Sequence, residues 1–343
     1  MRSEVTRLMV EVAVSQGIRD LRSQAHRRAL RNLVEHGGRY SRGPFQRKLF
    51  SMVQDMLRSD EHPYYELCSR AAQSIDERYL LTFGVNMGFE SWTRGARMIR
   101  RLEEQNRCDI PWAITVELSD ADGRALPMES LLRLIDQGMT MGVMSYFLFD
   151  PLMRLDVMRT VCDLYPKCAL LAFYPDEKLD DSALDQLEGT DNLMLVAVRG
   201  EGDFVSPSAL RRHKRIYGLC RRYDDASARA LVRSGDLRCP GDPDCILPFF
   251  LPEPSCSAQA RAQFNQALMT CKDHPTQPLF PVDLSADLQW IDRIISTDDC
   301  ALSLRADGAF FTGNPPVPAD ASLPQQSLSD VIMACLQKDR PRT

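Results

Sequence analysis

The sequence lacks the features of a membrane-spanning or exported protein. Its 343 residues contain no uninterrupted apolar run of about 18, the length at which a helix can span a bilayer. Residues 1–17 mix charged and apolar side chains and have no small-residue cleavage pattern, so they do not read as a secretory signal. A soluble, cytoplasmic protein is therefore expected.

Signatures of phosphate-binding and hydrolytic sites are also missing. The sequence has no GxGxxG or GxxxxGK[ST] loop, in which backbone amides cradle phosphates, and no GxSxG elbow for a catalytic serine. The stretch RGEG at residues 199–202 is too short and too acidic to wrap a pyrophosphate. Neither a common nucleotide-binding site nor a serine hydrolase is predicted.

The chain is rich in cysteine but lacks the tight spacings with which cysteines bind metals. None of its eleven cysteines forms a CxxC or a CxxxCxxC, the patterns that let one loop present several thiolates. Cys239, Cys245, Cys256 and Cys271 are six to fifteen residues apart, which matches no common metal site. We expect reduced thiols, most of them acting as small apolar side chains.

Positive charge is concentrated in the N-terminal part of the chain. The formal net charge is −5, but residues 1–58 contain 12 Lys and Arg against 5 Asp and Glu, a net of +7, which leaves −12 for the rest. A basic segment can contact nucleic acid or dock against an acidic part of its own chain. We favour docking and keep nucleic-acid binding through the basic N-terminal helices as an alternative.

Helical periodicity dominates the first 82 residues. Apolar residues recur at three- and four-residue steps over 2–35, 45–58 and 64–75, which predicts one long helix and two shorter ones. Gly37 and Gly38 are predicted to end the long helix. Residues 1–82 are therefore predicted to form a helical N-terminal domain.

From residue 111 onward, short apolar runs alternate with helical patterns. Predicted strands cover 112–116, 143–149, 169–173, 193–198, 216–220 and 246–251, and predicted helices cover 128–137, 155–164, 182–187, 207–214, 226–232 and 257–271. Continuous apolar strands separated by helices predict a parallel sheet buried on both faces, in a doubly wound sheet or a partial barrel. Further predictions are a β-hairpin at 301–304 and 309–311 with an Asp-Gly turn, a loop over 313–324 and a final helix over 327–336.

Polar residues follow the predicted strands at the end where barrels of this type bind ligands. The candidates for a ligand pocket are Glu117, Asp150, Tyr174, Arg199 and Glu201, and further polar residues at later strand ends are Arg221, Arg222 and Glu253. Carboxylates and guanidinium groups at one mouth can bind a polar ligand. The plainer interpretation is that polar loops follow the strands of every such fold.

Several segments together resemble the radical SAM enzymes of anaerobic bacteria. They are HPYY (62–65), FGVN (83–86), CDIPWAI (108–114), IDQGMTMGV (135–143), LLAF (170–173), LDD (179–181), PLF (278–280) and CALSLRADG (300–308). The resemblance implies an α/β fold with the helical N-terminal domain followed by a partial TIM-type (β/α)6 barrel over residues 83–283. It also implies a small SPASM-like extension, a β-hairpin and a helix, over residues 284–343.

The residues that carry the family's chemistry do not occur in this sequence. Family members have a CxxxCxxC after the first strand, whose thiolates hold a [4Fe–4S] cluster that binds S-adenosylmethionine. Here residues 117–126 read ELSDADGRAL, and Gly313 stands where the extension has a further cysteine. Where the family has GGEP after the second strand, this sequence has LFDP at 148–151. Where the family has TNG after the third strand, it has YPD at 174–176. We therefore predict no bound cofactor, neither the cluster nor S-adenosylmethionine.

A resemblance without the family's chemistry implies a pseudoenzyme that uses its barrel for binding. The expected partner is a protein or peptide, a small ligand or an active relative. An enzyme with a rebuilt, cluster-free site that uses Glu117, Asp150, Arg199 or Glu201 is the alternative, beside nucleic-acid binding.

The mouth of the barrel is expected to be partly filled by the chain itself. Leu148 and Phe149 replace glycines there and are predicted to occupy the space of the cluster and its nucleotide. The remaining pocket is predicted to be small and polar, bordered by Asp150, Arg199 and Glu201, without a cysteine sulfur on its wall.

Overall fold

The computed structural model describes residues 2–23, 26–40, 44–200, 202–296, 300–313, 317–323 and 325–336. The helices are α1 (Arg2–Leu21), α2 (His26–Tyr40), α3 (Pro44–Met56), α4 (Tyr64–Ser74), α5 (Glu77–Val85), α6 (Ala96–Asn106), α7 (Met128–Met141), α8 (Leu155–Leu164), α9 (Asp181–Gln186), α10 (Pro207–Arg212), α11 (Asp225–Ser234), α12 (Ala258–Asp273), α13 (Leu284–Ile295) and α14 (Leu328–Cys335). The strands are β1 (Ala113–Glu117), β2 (Ser145–Phe149), β3 (Ala169–Pro175), β4 (Leu193–Val198), β5 (Tyr217–Tyr223), β6 (Pro248–Pro252), β7 (Val282–Asp283), β8 (Leu302–Leu304), β9 (Ala309–Thr312) and β10 (Val317–Ser322). None of the helices in these ranges is both long and apolar enough to cross a bilayer.

The N-terminal part is helical, as predicted, but the single helix predicted over residues 2–35 is wrong. The chain turns after Leu21, and α2 folds back against α1. Gly17 permits the close approach, because a Cβ atom there would lie 2.9 Å from the side chain of Leu33. A helical hairpin keeps the same apolar period as one long helix, so the period cannot reveal the break.

Several basic side chains of the first helix and the turn after it form ion pairs with acidic residues of the same chain. The guanidinium of Arg7 lies 2.8 Å from the buried carboxylate of Glu90, and those of Arg19 and Arg22 lie 3.1 and 3.4 Å from Glu77. Both acidic partners lie outside the basic segment, residues 1–58. These ion pairs support the interpretation that the segment docks against its own chain.

A connection that the sequence analysis left unassigned joins the helical part to the sheet. Residues Asn86–Gly95 form a π-helical segment that continues directly into α6. The side-chain amide of Asn86 donates hydrogen bonds of 2.9 Å to the carbonyl oxygens of Pro166 and Cys168, beside the start of β3. This segment therefore anchors the helices to the sheet at the end where β3 begins.

The centre of the molecule is one ten-stranded sheet in the order β10-β9-β8-β1-β2-β3-β4-β5-β6-β7. Strand β8 and strands β1 to β7 pair in parallel, and the antiparallel pairs among the described strands are β8–β9 and β9–β10. All six predicted strands and the six helices predicted with them are confirmed, with shifts of a few residues at their ends. Because β1 to β7 follow one another in sequence order, the right-handed crossovers place their helices on one face.

The sheet is curled into a partial barrel, which confirms the predicted fold class. Three strand spacings separate β3 from β6, about 14 Å in a flat sheet. Yet the rings of Phe173 in β3 and Phe249 in β6 lie 5.9 Å apart, edge to face, across the inside of the curl. The barrel stays open, because β7 and β10 are the two outer strands of the sheet.

The C-terminal segment contributes strands to the same sheet. The predicted hairpin is confirmed as β8 and β9, with Gly308 at a φ of +85° in the turn, and β8 pairs in parallel with β1. The predicted loop over 313–324 is wrong in part, because β10 lies within it and pairs with β9. Pro318 is compatible with β10 because this is an edge strand. The predicted final helix is confirmed as α14.

Candidate functional site

A cavity of about 420 Å³ opens at the carboxyl ends of the parallel strands. Its wall is formed by residues of β1 to β5, of the loops that follow them, and of β8 with the residue after it: Thr115, Glu117, Ser119, Phe149, Pro151, Phe173, Tyr174, Pro175, Glu177, Val198, Arg199, Gly200, Arg222, Ser303, Leu304 and Arg305. The cavity therefore lies where ligands bind in barrels of parallel strands.

The inner end of the cavity is aromatic. Phe149 and Phe173 are direct neighbours in the β2–β3 pair, and their rings stack at 4.2 Å with 13° between their planes. The centre of the Phe173 ring also lies 6.4 Å from the centre of the Phe147 ring and 5.9 Å from that of the Phe249 ring. As predicted, Phe149 occupies part of the mouth, although a cavity of about 420 Å³ remains beside it.

The prediction for Leu148 is wrong. Successive strand residues point to opposite faces of a sheet. Because Phe147 and Phe149 point into the barrel, Leu148 points to the helix side, where it is fully buried. The remaining pocket is also less polar than predicted, because phenylalanine, proline, valine and leucine contribute six of its sixteen lining residues.

Charged side chains surround the aromatic part of the cavity. The carboxylates are those of Glu117 and Glu177, and the guanidinium groups are those of Arg199, Arg222 and Arg305. Among the described residues, neither carboxylate forms an ion pair with any of the three arginines. Both signs of charge thus line one cavity without a direct ion pair between these five described side chains.

Each of the three arginines is oriented by a neighbour. Arg199 donates from Nε to the carbonyl oxygen of Gly202, and the guanidinium of Arg222 lies 3.9 Å from the carboxylate of Glu253. The guanidinium carbon of Arg305 lies 3.8 Å from the centre of the Phe311 ring, a cation–π contact. Guanidinium groups held in this way keep donors for a bound anion.

Asp150 does not border the cavity, contrary to the prediction. Its carboxylate is fully buried and accepts hydrogen bonds from the hydroxyl of Ser119 and, at 2.6 Å, from the backbone N–H of Arg154. The guanidinium of Arg154 lies 3.5 Å from the same carboxylate and also donates to the carbonyl oxygens of Leu118 and Leu126. Asp150 therefore joins the loops after β1 and β2 behind the cavity wall.

Tyr174 is placed differently from the expectation. Tyr174 borders the cavity through its strand, but its side chain is fully buried, and its hydroxyl has no hydrogen-bond partner among the described residues. Burial and the nearby Asp150 carboxylate raise the pKa of this hydroxyl well above its ordinary value. Glu201 lies outside the described residues. The structure thus brings Glu117 and Arg199 together at the cavity.

Glu177 and Arg305 were not among the sequence candidates. Glu177 lies in a short 3-10 helix, Asp176–Lys178, directly after β3, so a wider window after each strand would have included it. Arg305 follows β8, and its position at the mouth depends on the parallel pairing of β8 with β1. That pairing joins segments nearly 190 residues apart in the sequence, and no local pattern predicts it.

The residues present at the mouth do not fit an iron–sulfur cluster. The end of β1 offers the oxygen atoms of Glu117 and Ser119, and no cysteine belongs to the described wall of the cavity. Among the described residues, no group of three histidine, cysteine or acidic side chains is arranged to hold a metal ion. The cysteines at 239, 245, 256 and 271 are free thiols there, as are the other seven.

Burial keeps the thiols near the barrel protonated. The pKa values of Cys162, Cys168 and Cys220 are each raised to about 12, chiefly by desolvation. A thiol must lose its proton to act as a nucleophile or a metal ligand. At neutral pH these three side chains therefore act as small apolar residues.

The same thiols predict a loss of stability at alkaline pH. In the unfolded chain they ionise near pH 9, so their contribution to folding is fully present below pH 9 and is lost as the pH rises towards about 12. We expect the free energy of unfolding, measured with urea at a series of pH values, to fall steadily above pH 9. A constant value up to pH 11, or rapid alkylation of these three thiols by iodoacetamide in the folded protein at pH 9, would contradict this assignment.

Comparisons with known proteins give likeness in structure only. No protein-family model matches the chain, and no curated protein matches it. Three solved structures of SuiB from Streptococcus suis are similar to it, at low TM-scores. The structure bound to S-adenosylmethionine has 11% identity and a TM-score of 0.43 over 71% of this chain and 68% of SuiB. The structure bound to the precursor peptide SuiA has 9% identity and a TM-score of 0.46, over 72% of this chain and 70% of SuiB. A third structure of SuiB has 10% identity and a TM-score of 0.47, over 86% of this chain and 77% of SuiB. Likeness at this level assigns neither a reaction nor a ligand to the chain.

Proposed function

We propose that this chain is a radical-SAM-like pseudoenzyme that binds a peptide or a peptide-like ligand at the mouth of its barrel. The observation that carries the proposal is the composition of the cavity. A stacked aromatic pair, Phe149 and Phe173, lies among carboxylates and guanidinium groups that form no ion pair with one another in the described part of the chain. A ligand with an apolar body and charges of both signs matches this surface.

The aromatic part of the cavity suits an apolar or aromatic side chain of the ligand. Ligand pockets combine an apolar lining with a few polar groups that set the orientation. The stacked rings of Phe149 and Phe173 offer a flat face, and Val198 and Pro175 border it. A further ring or aliphatic chain placed there would lose its hydration shell on entry, which supplies the main favourable contribution to binding.

The charged groups then select the orientation of the ligand. Guanidinium groups bind carboxylates through paired hydrogen bonds, and Arg199, Arg222 and Arg305 are the candidates for this role. Glu117 and Glu177 can accept hydrogen bonds from an ammonium group. A free peptide terminus, or a peptide segment with acidic and basic side chains, offers both groups on one molecule.

The pseudoenzyme part of the proposal rests on the donor set at the end of β1 and on Phe149. The loop after β1 is closed by hydrogen bonds, 2.8 Å from the N–H of Leu126 to the carbonyl of Leu118, and is held by Arg154. Phe149 stands where the resemblance places a glycine, and its ring blocks a close approach to the backbone. These features support binding without the radical reaction of the family.

Calorimetric titration with a tripeptide that ends in phenylalanine tests the proposal. The probes are the peptide with a free carboxylate and the same peptide as its carboxyl-terminal amide. We expect the free acid to bind at least tenfold more tightly than the amide, since a hydrogen bond to a charged group contributes about 1.5–3 kcal/mol. The variant Arg305→Gln is expected to remove most of that difference.

Arg229→Gln serves as the matched control, because Arg229 is exposed on α11 and does not line the cavity. It should leave both affinities unchanged. Equal binding of acid and amide to the unmodified protein, or the same loss in Arg229→Gln as in Arg305→Gln, would show that the arginines at the mouth do not select the ligand.

A further inference from the structure

Helix α1 is apolar on two opposite faces. Its inner face packs Val14, Ile18 and Leu21 against the other N-terminal helices. The opposite face carries Val5, Leu8, Met9 and Val12, hereafter the α1 stripe, whose exposed fractions are 59%, 60%, 62% and 62%. A second apolar face on a helix indicates a second neighbour, because a surface helix normally has one apolar stripe that faces its own core. Within the described ranges, the hydrophobic core of the chain covers only one side of α1.

The α1 stripe stands out from the rest of the described surface. Eight large apolar residues of the described chain are strongly exposed, and four of them form this stripe. The other four are scattered singly over different parts of the fold: Leu152, Leu164, Val205 and Val232. Isolated apolar residues are normal on protein surfaces, whereas a contiguous patch marks an interaction site.

The spacing of the stripe indicates which partner covers it. The four residues follow one another at intervals of three, one and three, so the pattern reads the same in both directions along the helix. An interface between two copies related by a two-fold axis requires a patch that maps onto itself. In an antiparallel pair of α1 helices, Val5 lies opposite Val12 of the second copy, and Leu8 lies opposite Met9.

We propose that the α1 stripe is a dimer interface, at which two copies of this chain pair their α1 helices in antiparallel orientation. Two helices in contact lie 8–10 Å apart, close enough for these side chains to interdigitate. The stripe exposes on the order of 400 Å² of apolar surface per copy, about half of a standard interface. The pair is therefore reversible, with a dissociation constant on the order of micromolar.

Sedimentation velocity at a series of protein concentrations tests the dimer. The unmodified chain is expected to shift from monomer to dimer across the micromolar range. Leu8→Lys places a charge opposite Met9 of the second copy and should weaken the pair at least tenfold. Met9→Glu should do the same. Both side chains are more than half exposed in the monomer, so each variant is expected to keep its circular dichroism spectrum and melting temperature.

Mixing the two variants tests the orientation. In the antiparallel pair, the lysine introduced in one chain lies opposite the glutamate introduced in the other, so an equimolar mixture of Leu8→Lys and Met9→Glu should dimerise more strongly than either alone. A parallel pair would place each introduced charge opposite an unchanged residue, and the mixture would show no recovery. Leu164→Lys is the matched control, since Leu164 is 55% exposed on α8, outside the stripe.

Three results would overturn the proposal. The first is an unmodified chain that stays monomeric up to several hundred micromolar, including one that instead binds phosphatidylcholine vesicles. The second is a dimer that Leu8→Lys and Met9→Glu leave unchanged. The third is a mixture of the two variants that dimerises no better than either variant alone.

Discussion

Protein incubated with ferrous iron and sulfide in the absence of oxygen is expected to retain well under one iron atom per chain. A [4Fe–4S] cluster would hold about four and would absorb near 400 nm. The expectation follows from the donor set, because the end of β1 presents Glu117 and Ser119 to the mouth and no thiol belongs to the described cavity wall. Iron analysis and an absorbance spectrum after desalting measure the outcome.

A ferredoxin with four cysteine ligands, treated in parallel, verifies the reconstitution. Titration of the same chain with S-adenosylmethionine is expected to give no heat of binding at micromolar concentrations, since no thiol of the described wall can hold the cluster that binds it and Phe149 stands where the resemblance places a glycine. Stoichiometric iron with the cluster spectrum would show that cysteines from distant parts of the chain come together. The variants Cys239→Ala and Cys245→Ala, with the same iron analysis, would then test whether these two cysteines are iron ligands.

Arg215→Met is expected to lower the free energy of unfolding by about 3 kcal/mol. Arg215 is only 1% exposed, and its guanidinium donates hydrogen bonds to the carbonyl oxygens of Leu187 and Thr190 at 3.1 and 3.3 Å and to the hydroxyl of Thr190 at 3.0 Å. Methionine keeps an unbranched apolar side chain but has no donors. Each hydrogen bond from a charged group contributes about 1.5–3 kcal/mol, and their loss is partly offset by removal of a buried charge. Urea unfolding measures the change.

The same side chain also joins the helical part to the barrel. The guanidinium carbon of Arg215 lies 4.1 Å from the centre of the Tyr79 ring in α5. A double-mutant cycle of Arg215→Met with Tyr79→Leu should therefore show a coupling of about 0.5 kcal/mol or more.

Arg212→Met is the matched control for Arg215→Met. The Arg212 side chain is exposed and pairs with the exposed Asp181, so its loss should cost less than about 1 kcal/mol. Equal effects of the two substitutions would show that burial of Arg215 does not matter.

Regular elements with strong local patterns were predictable from the sequence. The strand at 193–198 and the helix at 155–164 have the predicted bounds, and the hairpin at β8 and β9 forms at its Asp-Gly turn. In each case the information is local. Continuous apolar runs, helical periods and turn residues act over a few neighbouring positions, so they hold whatever the rest of the chain does.

The site was only partly predictable, because both faces of a parallel sheet are buried and its strands are apolar throughout. The sequence places Phe173 and Tyr174 side by side without telling which of them faces the barrel, and the same holds for Leu148 and Phe149. In the folded chain Phe149 and Phe173 stack inside, while Tyr174 is buried with its hydroxyl near Asp150.

By itself, the sequence determined the alternation of six strands and six helices from β1 to α12, the parallel sheet that they form and the polar residues at the strand ends. The tertiary structure alone decided that Asp150 lies behind the wall, that α2 folds back on α1, and that Arg305 reaches the mouth through the pairing of β8 with β1. These outcomes depend on contacts between residues far apart in the chain. Such contacts contribute to the free energy of folding only when the folded chain brings those residues together, so no local pattern in the sequence contains them.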